Sequence, residues 1–347
     1  MSQRAFIIGG TGQIGRAVAD ELLTNGWDVT VSHRGHRALS DDLIARGAKL
    51  AVLDREEPGA LASALGSGAD AVIDTIAYTA NHADQLLEIE PSVGSFIVIS
   101  SSSVYRDPAG RTLDEARKGE FSGLSVASQG NPAHCRPRSR NLLNTEGCAG
   151  AAPPGSYQAA GDGFYGRAPS TVHIRVHPRE WWFVKRMLDG RRAIPLAYRG
   201  ESRFHTSATV NIAALVRTAL ENPGTRILNA ADPSVMTVAE IGATIAKHLD
   251  FRGEFLPVKD NSYPPMIGAT PWSIPAPFTL DIGAAVALGY GPVSTYEEAS
   301  KATCDWPMRT APSNWRAAFP VLAGYSREHF DYDAEEAFLE RRTSQKS

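Results

Sequence analysis

Over the first hundred residues, short runs rich in apolar and β-branched residues alternate with amphipathic stretches. The runs are Phe6–Ile8, Asp28–Ser32, Leu50–Leu53, Ala71–Ile76 and Ser95–Ser100. Each run has the length of a strand, and the segments between them have helical character, which is the βαβ alternation of a parallel sheet. The pattern therefore predicts an α/β fold with a doubly wound parallel sheet.

A glycine-rich turn follows the first predicted strand. Glycines at positions 9, 12 and 15 allow a tight turn and let the backbone approach a pyrophosphate closely. The helix predicted from about Gly12 to Asn25 would direct its free N–H groups and positive dipole end at that anion. A strand before the turn and an amphipathic helix after it favour a Rossmann-type dinucleotide site over a purely structural turn. The predicted cofactor-binding residues here are Gly9, Gly10, Thr11, Gly12, Gln13, Ile14 and Gly15.

The residues after the second predicted strand bear on the choice of cofactor. An acidic residue there would hold the adenosine ribose hydroxyls of NAD. This chain has Ser-His-Arg-Gly-His-Arg at positions 32–37 instead. Arg34, with Arg37 as a second candidate, can pair with a ribose 2′-phosphate, so the sequence favours NADP over NAD. The alternative is that both arginines are solvated surface charges.

Composition excludes several classes of partner. The chain has 347 residues, 43% of them hydrophobic, and a net charge of −3. That charge provides no basic field for nucleic acid or an anionic membrane, and no apolar run approaches the length of a membrane span. Three cysteines have no metal-ligand spacing, so we expect no metal site and no disulfide framework. These features predict a cytoplasmic protein that acts on a small molecule.

The second half of the chain contains its own helix start and stop signals. Thr237–Glu240 is a capping box that opens a predicted helix, and Ala284–Leu288 is a predicted short helix that ends at Gly289. We expect a Rossmann domain over residues 1–175. Residues 176–340 are expected to supply the last sheet strands and a smaller C-terminal substrate lobe.

These motifs together resemble the extended short-chain dehydrogenase/reductase family, the NAD(P)-dependent epimerases, dehydratases and reductases. The glycine spacing matches the family's cofactor motif, and Ile99–Tyr105 is similar to its strand-five motif. Leu228–Ala230 and Asp281–Tyr290 are similar to its late strand and the closing helix of its substrate lobe. The resemblance covers roughly residues 1–121 and 176–310.

The resemblance implies roles for three further residues. Asp54, after strand three, would contact the adenine amine, and Ala77, after strand four, would also line the cofactor site. Ser101, four positions before the tyrosine of the Val-Tyr pair, would be catalytic. Relatives act by hydride transfer on sugar nucleotides and other carbonyl or hydroxyl compounds. A homodimer is a further expectation.

One departure from the family pattern is severe. The family carries Tyr-x-x-x-Lys on the helix after strand five, where the tyrosine is the acid/base and the lysine lowers its pKa by its charge. No tyrosine in this chain is followed by lysine at the fourth position. Tyr157 and Tyr165 lie in the right region, but Gly161 and Pro169 stand four residues after them.

Residues 128–175 do not follow the patterning of the rest of the chain. They are crowded with Gly, Pro, Arg, Ala and Ser, and helical periodicity is absent. Back-translated and read one nucleotide later, 128–151 allow a product that contains Thr-Tyr-Ser-Thr-Arg-Lys-Val-Ala-Leu-Glu, which holds the missing motif. Read two nucleotides later, 163–173 allow Val-Leu-Arg-Pro-Gly-Ala-Ile-His-Gly-Pro, similar to the family's strand six. From about Val176 the printed frame is again typical of protein, so the sequence favours frame errors over a genuine divergent insertion.

Two classes of function remain open. One is an NAD(P)-dependent enzyme, and the other is a catalytically silent dinucleotide-binding regulator or scaffold that lacks the tyrosine–lysine pair. Arg179 and Arg203 are candidates to clamp an anionic substrate group, although interlobe structural contacts are the commoner role for such residues. His205 is predicted equally well as a cleft residue or a structural histidine.

Overall fold

The first half of the molecule is a five-stranded sheet in which every pairing is parallel. The computed structural model describes residues 2–35, 38–100, 179–259, 266–310, 313–324 and 328–344. The strand order is β3-β2-β1-β4-β5. The strands are β1 (Arg4–Ile8), β2 (Asp28–His33), β3 (Lys49–Val52), β4 (Ala69–Asp74) and β5 (Val93–Val98). The predicted α/β, doubly wound parallel sheet is confirmed.

Helices cover both faces of this sheet. They are α1 (Gln13–Thr24), α2 (Asp41–Ala45), α3 (Ala60–Leu65) and α4 (Ala80–Ile89). Neighbouring residues of a strand point to opposite faces. Ile7 packs with Val18 and Leu22 of α1, whereas Phe6 and Ile8 pack with α3 and α4. Strands β1 and β4 therefore each contribute to two apolar layers, which explains why they are buried along most of their length.

The second half begins with a very apolar helix and forms a core of its own. Trp181, Trp182 and Phe183 on the first helix are almost fully buried. A small parallel pair of strands lies beside them. The elements are α5 (Trp181–Leu188), β6 (Ala193–Leu196), α6 (Thr209–Glu221), α7 (Val238–His248), β7 (Glu254–Pro257), α8 (Gly283–Ala287), α9 (Tyr296–Thr310), α10 (Trp315–Ala318), α11 (Pro320–Ala323) and α12 (Tyr332–Ser344).

Helix α6 lies in the second half of the sequence but packs against the first domain. Its Ala213 and Val216 join the core formed by α1, β1 and β2. Arg217 of α6 also pairs with Glu21 of α1, with 2.7 Å between Nε and Oε1. The chain after residue 176 therefore returns to cover the sheet before it forms the rest of the second lobe.

One expectation from the second half is wrong. Residues Leu228–Ala230 form no strand, and the described strands of this half pair only as β6 with β7. The segment is instead held by side chains: Ser207 Oγ donates to Ala230 O at 2.7 Å, and Asn229 Nδ2 donates to Asp281 O at 2.8 Å. Leu228 and Ala230 pack against α6 and α8 as part of an apolar cluster. The predicted short helix ending at Gly289 is confirmed.

The predicted capping box at Thr237 is present and generates a test. Thr237 Oγ1 accepts from the N–H of Glu240 at 3.1 Å, and the Glu240 carboxylate accepts from the N–H of Thr237 at 2.6 Å. We expect Thr237→Ala to lower the free energy of unfolding by about 1 kcal/mol, because the N–H of Glu240 in the first turn of α7 loses its acceptor. Denaturant titration measures it. Thr244→Ala, on the exposed side of the same helix, is the control and should cost less; equal losses would contradict the capping role.

Candidate functional site

The glycine turn joins β1 to α1 at one edge of the sheet. Gly9 has φ of +76°, and the N–H of Gly12 donates to Gly9 O at 3.0 Å. A Cβ on Gly9 would lie 2.7 Å from Thr75 Oγ1 and 2.8 Å from Ile76 Cγ2. Glycine is required here both by the left-handed backbone and by the loop packed against it.

Gly10 and Gly15 bring the helix start against the turn. A Cβ on Gly15 would lie 2.4 Å from Gly10 Cα, and a Cβ on Gly10 would lie 2.5 Å from Val31 Cγ1. Gly12 is the N-cap of α1, has no side-chain capping bond, and no acidic residue stands in the first turn. The partial positive charge of the helix start is therefore not offset locally, which is the arrangement that binds a phosphate.

This edge is the topological switch point of the sheet. Chain order runs from β1 outward through β2 to β3, and in the other direction through β4 to β5. A crevice opens outside the carboxyl ends of the strands where the two directions diverge. The predicted residues Gly9, Arg34, Asp54 and Ala77 all follow the ends of strands at this edge.

The segment after β2 is fastened to the glycine turn by Arg16, a residue that the sequence analysis did not single out. Arg16 Nε donates to Thr11 O at 3.0 Å, and its Nη2 donates to Ala38 O at 2.7 Å. Arg34 is exposed beside Gly35, whose φ is +85° and whose N–H donates to His33 Nδ1 at 2.9 Å. The one sequence signal for the role of Arg16 is its position directly after Gly15, the third glycine of the turn. His36 and Arg37 lie outside the described residues.

The ends of β3 and β4 carry a second feature that sequence analysis missed. Asp54 is exposed, and its Oδ1 accepts from the N–H of Glu56 at 3.1 Å. The next residue, Arg55, is buried and pairs with Asp74 at the end of β4, with Nη1 2.8 Å from Oδ2. No periodicity or motif predicts this contact, because Arg55 follows β3 and Asp74 ends β4, and these two strands are not neighbours.

Ser101, Tyr157 and Tyr165 lie outside the described residues. Within the described part of the chain, no group of three or more His, Cys, Asp or Glu side chains can hold a metal ion. No helix there is long and apolar enough to cross a lipid bilayer.

The basic and histidine candidates of the second lobe have structural contacts. Arg179 lies over the ring of Phe204 at 5.0 Å, and Arg203 Nη1 donates to Val235 O at 2.7 Å. His205 is buried, with Nε2 2.8 Å from Asp232 O, and its Nδ1 accepts from the N–H of Leu280 at 3.1 Å. Of the two roles considered for His205, these bonds favour the structural one.

Glu180 is a buried acid at the start of α5. Burial raises its pKa to about 7, because desolvation penalises the carboxylate more than the neighbouring groups favour it. Tyr296 OH donates to Glu180 Oε1 at 3.0 Å, and burial likewise raises the pKa of Tyr296 well above its ordinary value. Burial in the fold therefore favours the neutral, protonated form of the Glu180 carboxyl group.

Comparisons with known proteins agree with this geometry. Residues 9–129 match the family model described as NAD(P)H-binding. No curated protein sequence matches the chain.

Solved structures with the same fold include several UDP-sugar 4-epimerases. A UDP-N-acetylglucosamine 4-epimerase from Methanobrevibacter ruminantium, in complex with UDP-N-acetylmuramic acid, is 16% identical with a TM-score of 0.56, covering 89% of this chain and 99% of that one. The UDP-glucose 4-epimerase of Thermus thermophilus, in complex with NAD, is 16% identical with a TM-score of 0.53, covering 87% and 98%. A UDP-glucuronic acid 4-epimerase variant from Bacillus cereus, bound to UDP-4-deoxy-4-fluoro-glucuronic acid and NAD, is 16% identical with a TM-score of 0.54, covering 88% and 99%.

Residues 9–129 therefore resemble NAD(P)H-binding domains, and the chain has the fold of these epimerases. The resemblance drawn from its motifs to the NAD(P)-dependent epimerases and dehydratases is confirmed.

The raised pKa of Glu180 predicts a specific pH dependence of stability. Its folded pKa lies above the unfolded value of 4.5, so its stabilising contribution is complete below pH 4.5 and is lost as pH rises through about 7. That loss is on the order of 3 kcal/mol. Glu180→Gln keeps an acceptor for Tyr296 but cannot ionise, so its free energy of unfolding should fall less between pH 5 and 8.

Urea titrations at several pH values measure this difference. Glu254→Gln, at an exposed position, is the matched control and should retain the wild-type pH slope. Parallel slopes for the wild type and Glu180→Gln would contradict the assignment.

Proposed function

We propose that the protein is an NADP(H)-dependent enzyme of the epimerase, dehydratase or reductase type, acting by hydride transfer. The observation that carries this proposal is the glycine turn packed against the uncapped start of α1 at the switch point of the sheet. The NAD(P)H-binding family match over the same residues supports it independently.

The proposed substrate is a sugar nucleotide, with other small carbonyl or hydroxyl compounds as the wider class. Neighbours with the same fold bind UDP-N-acetylmuramic acid, UDP-glucose and a UDP-glucuronic acid analogue. These similarities lie at 16–17% identity, so they support the class and not the individual sugar.

Each proposed residue has a separate task. The N–H groups at the start of α1 hold the pyrophosphate, Arg34 pairs with the ribose 2′-phosphate, and the Asp54 carboxylate accepts from the adenine amine. Ser101 donates a hydrogen bond to the substrate oxygen. The bound cofactor supplies or accepts hydride.

The segment that carries Arg34, the proposed partner of the 2′-phosphate, is already restrained by hydrogen bonds. Arg16 holds the segment that follows β2 against the glycine turn through its bonds to Thr11 and Ala38. Because these bonds restrain the segment after β2, less ordering is needed when the cofactor binds. An exposed arginine in this segment, with no acid at the end of β2, is the physical basis for preferring NADP to NAD.

The proposal includes frame errors in the middle of the chain. The family match ends at residue 129, where the anomalous segment from 128 begins. Shifted frames supply Tyr-x-x-x-Lys and a strand-six motif in the order that the fold requires. The alternative function, a silent dinucleotide-binding regulator or scaffold, is favoured by the one observation that the printed chain lacks this pair.

The cofactor preference gives the first test of function. We expect the chain to bind NADP(H) more tightly than NAD(H), because Arg34 pairs with the 2′-phosphate. Arg34→Ala should weaken NADP(H) binding by roughly 1.5–3 kcal/mol, the scale of a charge-assisted hydrogen bond, and leave NAD(H) unchanged. Calorimetric titration measures both constants.

Arg252→Ala is the control for a general loss of positive charge. This arginine is exposed in the other lobe, where it pairs with Asp250, and its removal should change neither affinity. Tighter binding of NAD(H), or an unchanged NADP(H) affinity in Arg34→Ala, would overturn the preference.

The tyrosine–lysine pair separates the two functions. The printed chain should turn over substrate slowly or not at all, since losing a general acid/base commonly costs a factor of about 100 to 10,000. A frame-restored chain carrying Tyr-Ser-Thr-Arg-Lys should be active on a panel of sugar nucleotides and small carbonyl compounds, followed by cofactor absorbance. That activity should fall in Ser101→Ala of the restored chain.

Equal turnover by the two chains would reject the frame interpretation. Dinucleotide binding without turnover in both would favour the silent binding protein.

A further inference from the structure

Arg55 and Asp74 form a buried ion pair at the carboxyl edge of the sheet. Arg55 Nη1 lies 2.8 Å from Asp74 Oδ2 and 3.1 Å from Oδ1, and the two side chains are 4% and 0% exposed. Charged side chains are almost never buried this far unless they are paired, and burying a pair is a poor route to stability alone. The position of this pair therefore calls for an explanation.

The pair connects strands that are not neighbours. The order β3-β2-β1-β4 places two strands between the end of β3 and the end of β4. Arg55 follows β3, reaches past both, and meets the last residue of β4. The contact thus spans the carboxyl ends of the strands that flank the glycine turn.

Further hydrogen bonds at both residues of the pair restrain the backbone. Gln85 of α4 accepts from Arg55 Nε at 3.0 Å and donates to Arg55 O at 2.6 Å. Asp74 Oδ1 accepts from the N–H of Ile76 at 2.9 Å. The chain is therefore restrained immediately after Asp54 and immediately before Ala77.

The loop after β4 is in turn joined to the glycine turn. Thr75 Oγ1 donates to Ile8 O at 2.9 Å and lies 3.3 Å from Gly9 O. Gly9 is packed so closely on Thr75 and Ile76 that no Cβ fits between them. A displacement of Ile76 would therefore move the turn that is proposed to bind the pyrophosphate.

We propose that Arg55 and Asp74 are positioning residues of the dinucleotide site, acting through Asp54 on the adenine side and through Ile76 and Gly9 on the pyrophosphate side. This inference rests on the dinucleotide binding proposed above. It assigns neither residue a contact with the cofactor.

The ion pair has no net charge, so it leaves no uncompensated charge near the proposed position of the pyrophosphate. An isolated Asp74 carboxylate would place a buried negative charge beside the proposed position of the pyrophosphate, and charges interact strongly where water is excluded. Arg55→Met alone combines this charge with the loss of positioning. The double variant Arg55→Met/Asp74→Leu removes both charges together and leaves the loss of positioning as its main effect.

The molecule provides a matched control in a second buried ion pair. Arg186 of α5 pairs with Glu335 of α12, with side chains 2% and 4% exposed, in the core of the other lobe. Arg186→Met/Glu335→Leu makes the same chemical change far from the glycine turn. A purely structural effect should appear in both double variants alike.

The experiment measures dissociation constants of NADPH and of ADP-ribose by calorimetry on the full chain, below the melting temperature of every variant. We expect Arg55→Met/Asp74→Leu to weaken both ligands about tenfold, the equivalent of one net hydrogen bond. Arg186→Met/Glu335→Leu should change the melting temperature but neither constant. Gln85→Met, which loosens Arg55 without burying a lone charge, should weaken binding severalfold.

Three outcomes decide the matter. Weaker binding in the Arg55 and Gln85 variants, with affinity unchanged in the Arg186 pair, supports the positioning role. Unchanged affinity in both the Arg55 double variant and Gln85→Met overturns it, whatever happens to the melting temperature. If the unaltered chain binds neither ligand, the proposed function itself fails and the positioning role fails with it.

Discussion

The close approach of Gly10 and Gly15 is the constraint on which the rest of the site depends. Only glycines allow the first turn of α1 to rest on the β1 turn, because a Cβ on Gly15 would lie 2.4 Å from Gly10 Cα. This contact brings the start of α1 to the carboxyl edge of the sheet, where the positive end of its dipole lies beside the strand ends. Arg34, Asp54 and Ala77 follow the ends of β2, β3 and β4 at this same edge.

Helix α6 shows how the second half of the chain completes the first. Its N-cap, Ala208, has no side chain that can cap, and Asp232 from a distant loop accepts from the Ala208 N–H at 2.7 Å instead. The same carboxylate accepts from Asn211 Nδ2 at 2.9 Å and from Thr206 Oγ1 at 2.5 Å. A buried acid with several donors at a helix start is favourable where a lone one would be costly. Asp232 thereby fixes the helix that covers α1.

The buried charges of the molecule fall into two kinds. Asp232 and the Arg55–Asp74 pair are surrounded by hydrogen-bond partners and lie at junctions between elements. Glu180 is held in an apolar core beside Tyr296, where burial raises its pKa to about 7. The first kind organises backbone around the crevice and α6, whereas the second makes the stability of the second lobe depend on pH.

The sequence by itself determined the first sheet and the glycine turn. These features depend on local patterns: short apolar and β-branched runs, a period of 3.6 along α1, and glycines whose backbone freedom is intrinsic. The capping box at Thr237 and the end of α8 at Gly289 were predictable for the same reason.

Only the tertiary structure decided the strand order, the return of α6 to the first domain, and the pairing of Arg55 with Asp74. It also decided that Leu228–Ala230 would pack by side chains instead of forming a strand. Such contacts join residues far apart in the chain, and their free energy depends on burial and on partners that no local pattern encodes. Local motifs thus specify the glycine turn after β1, whereas contacts between distant residues hold that turn and the loops beside it in place.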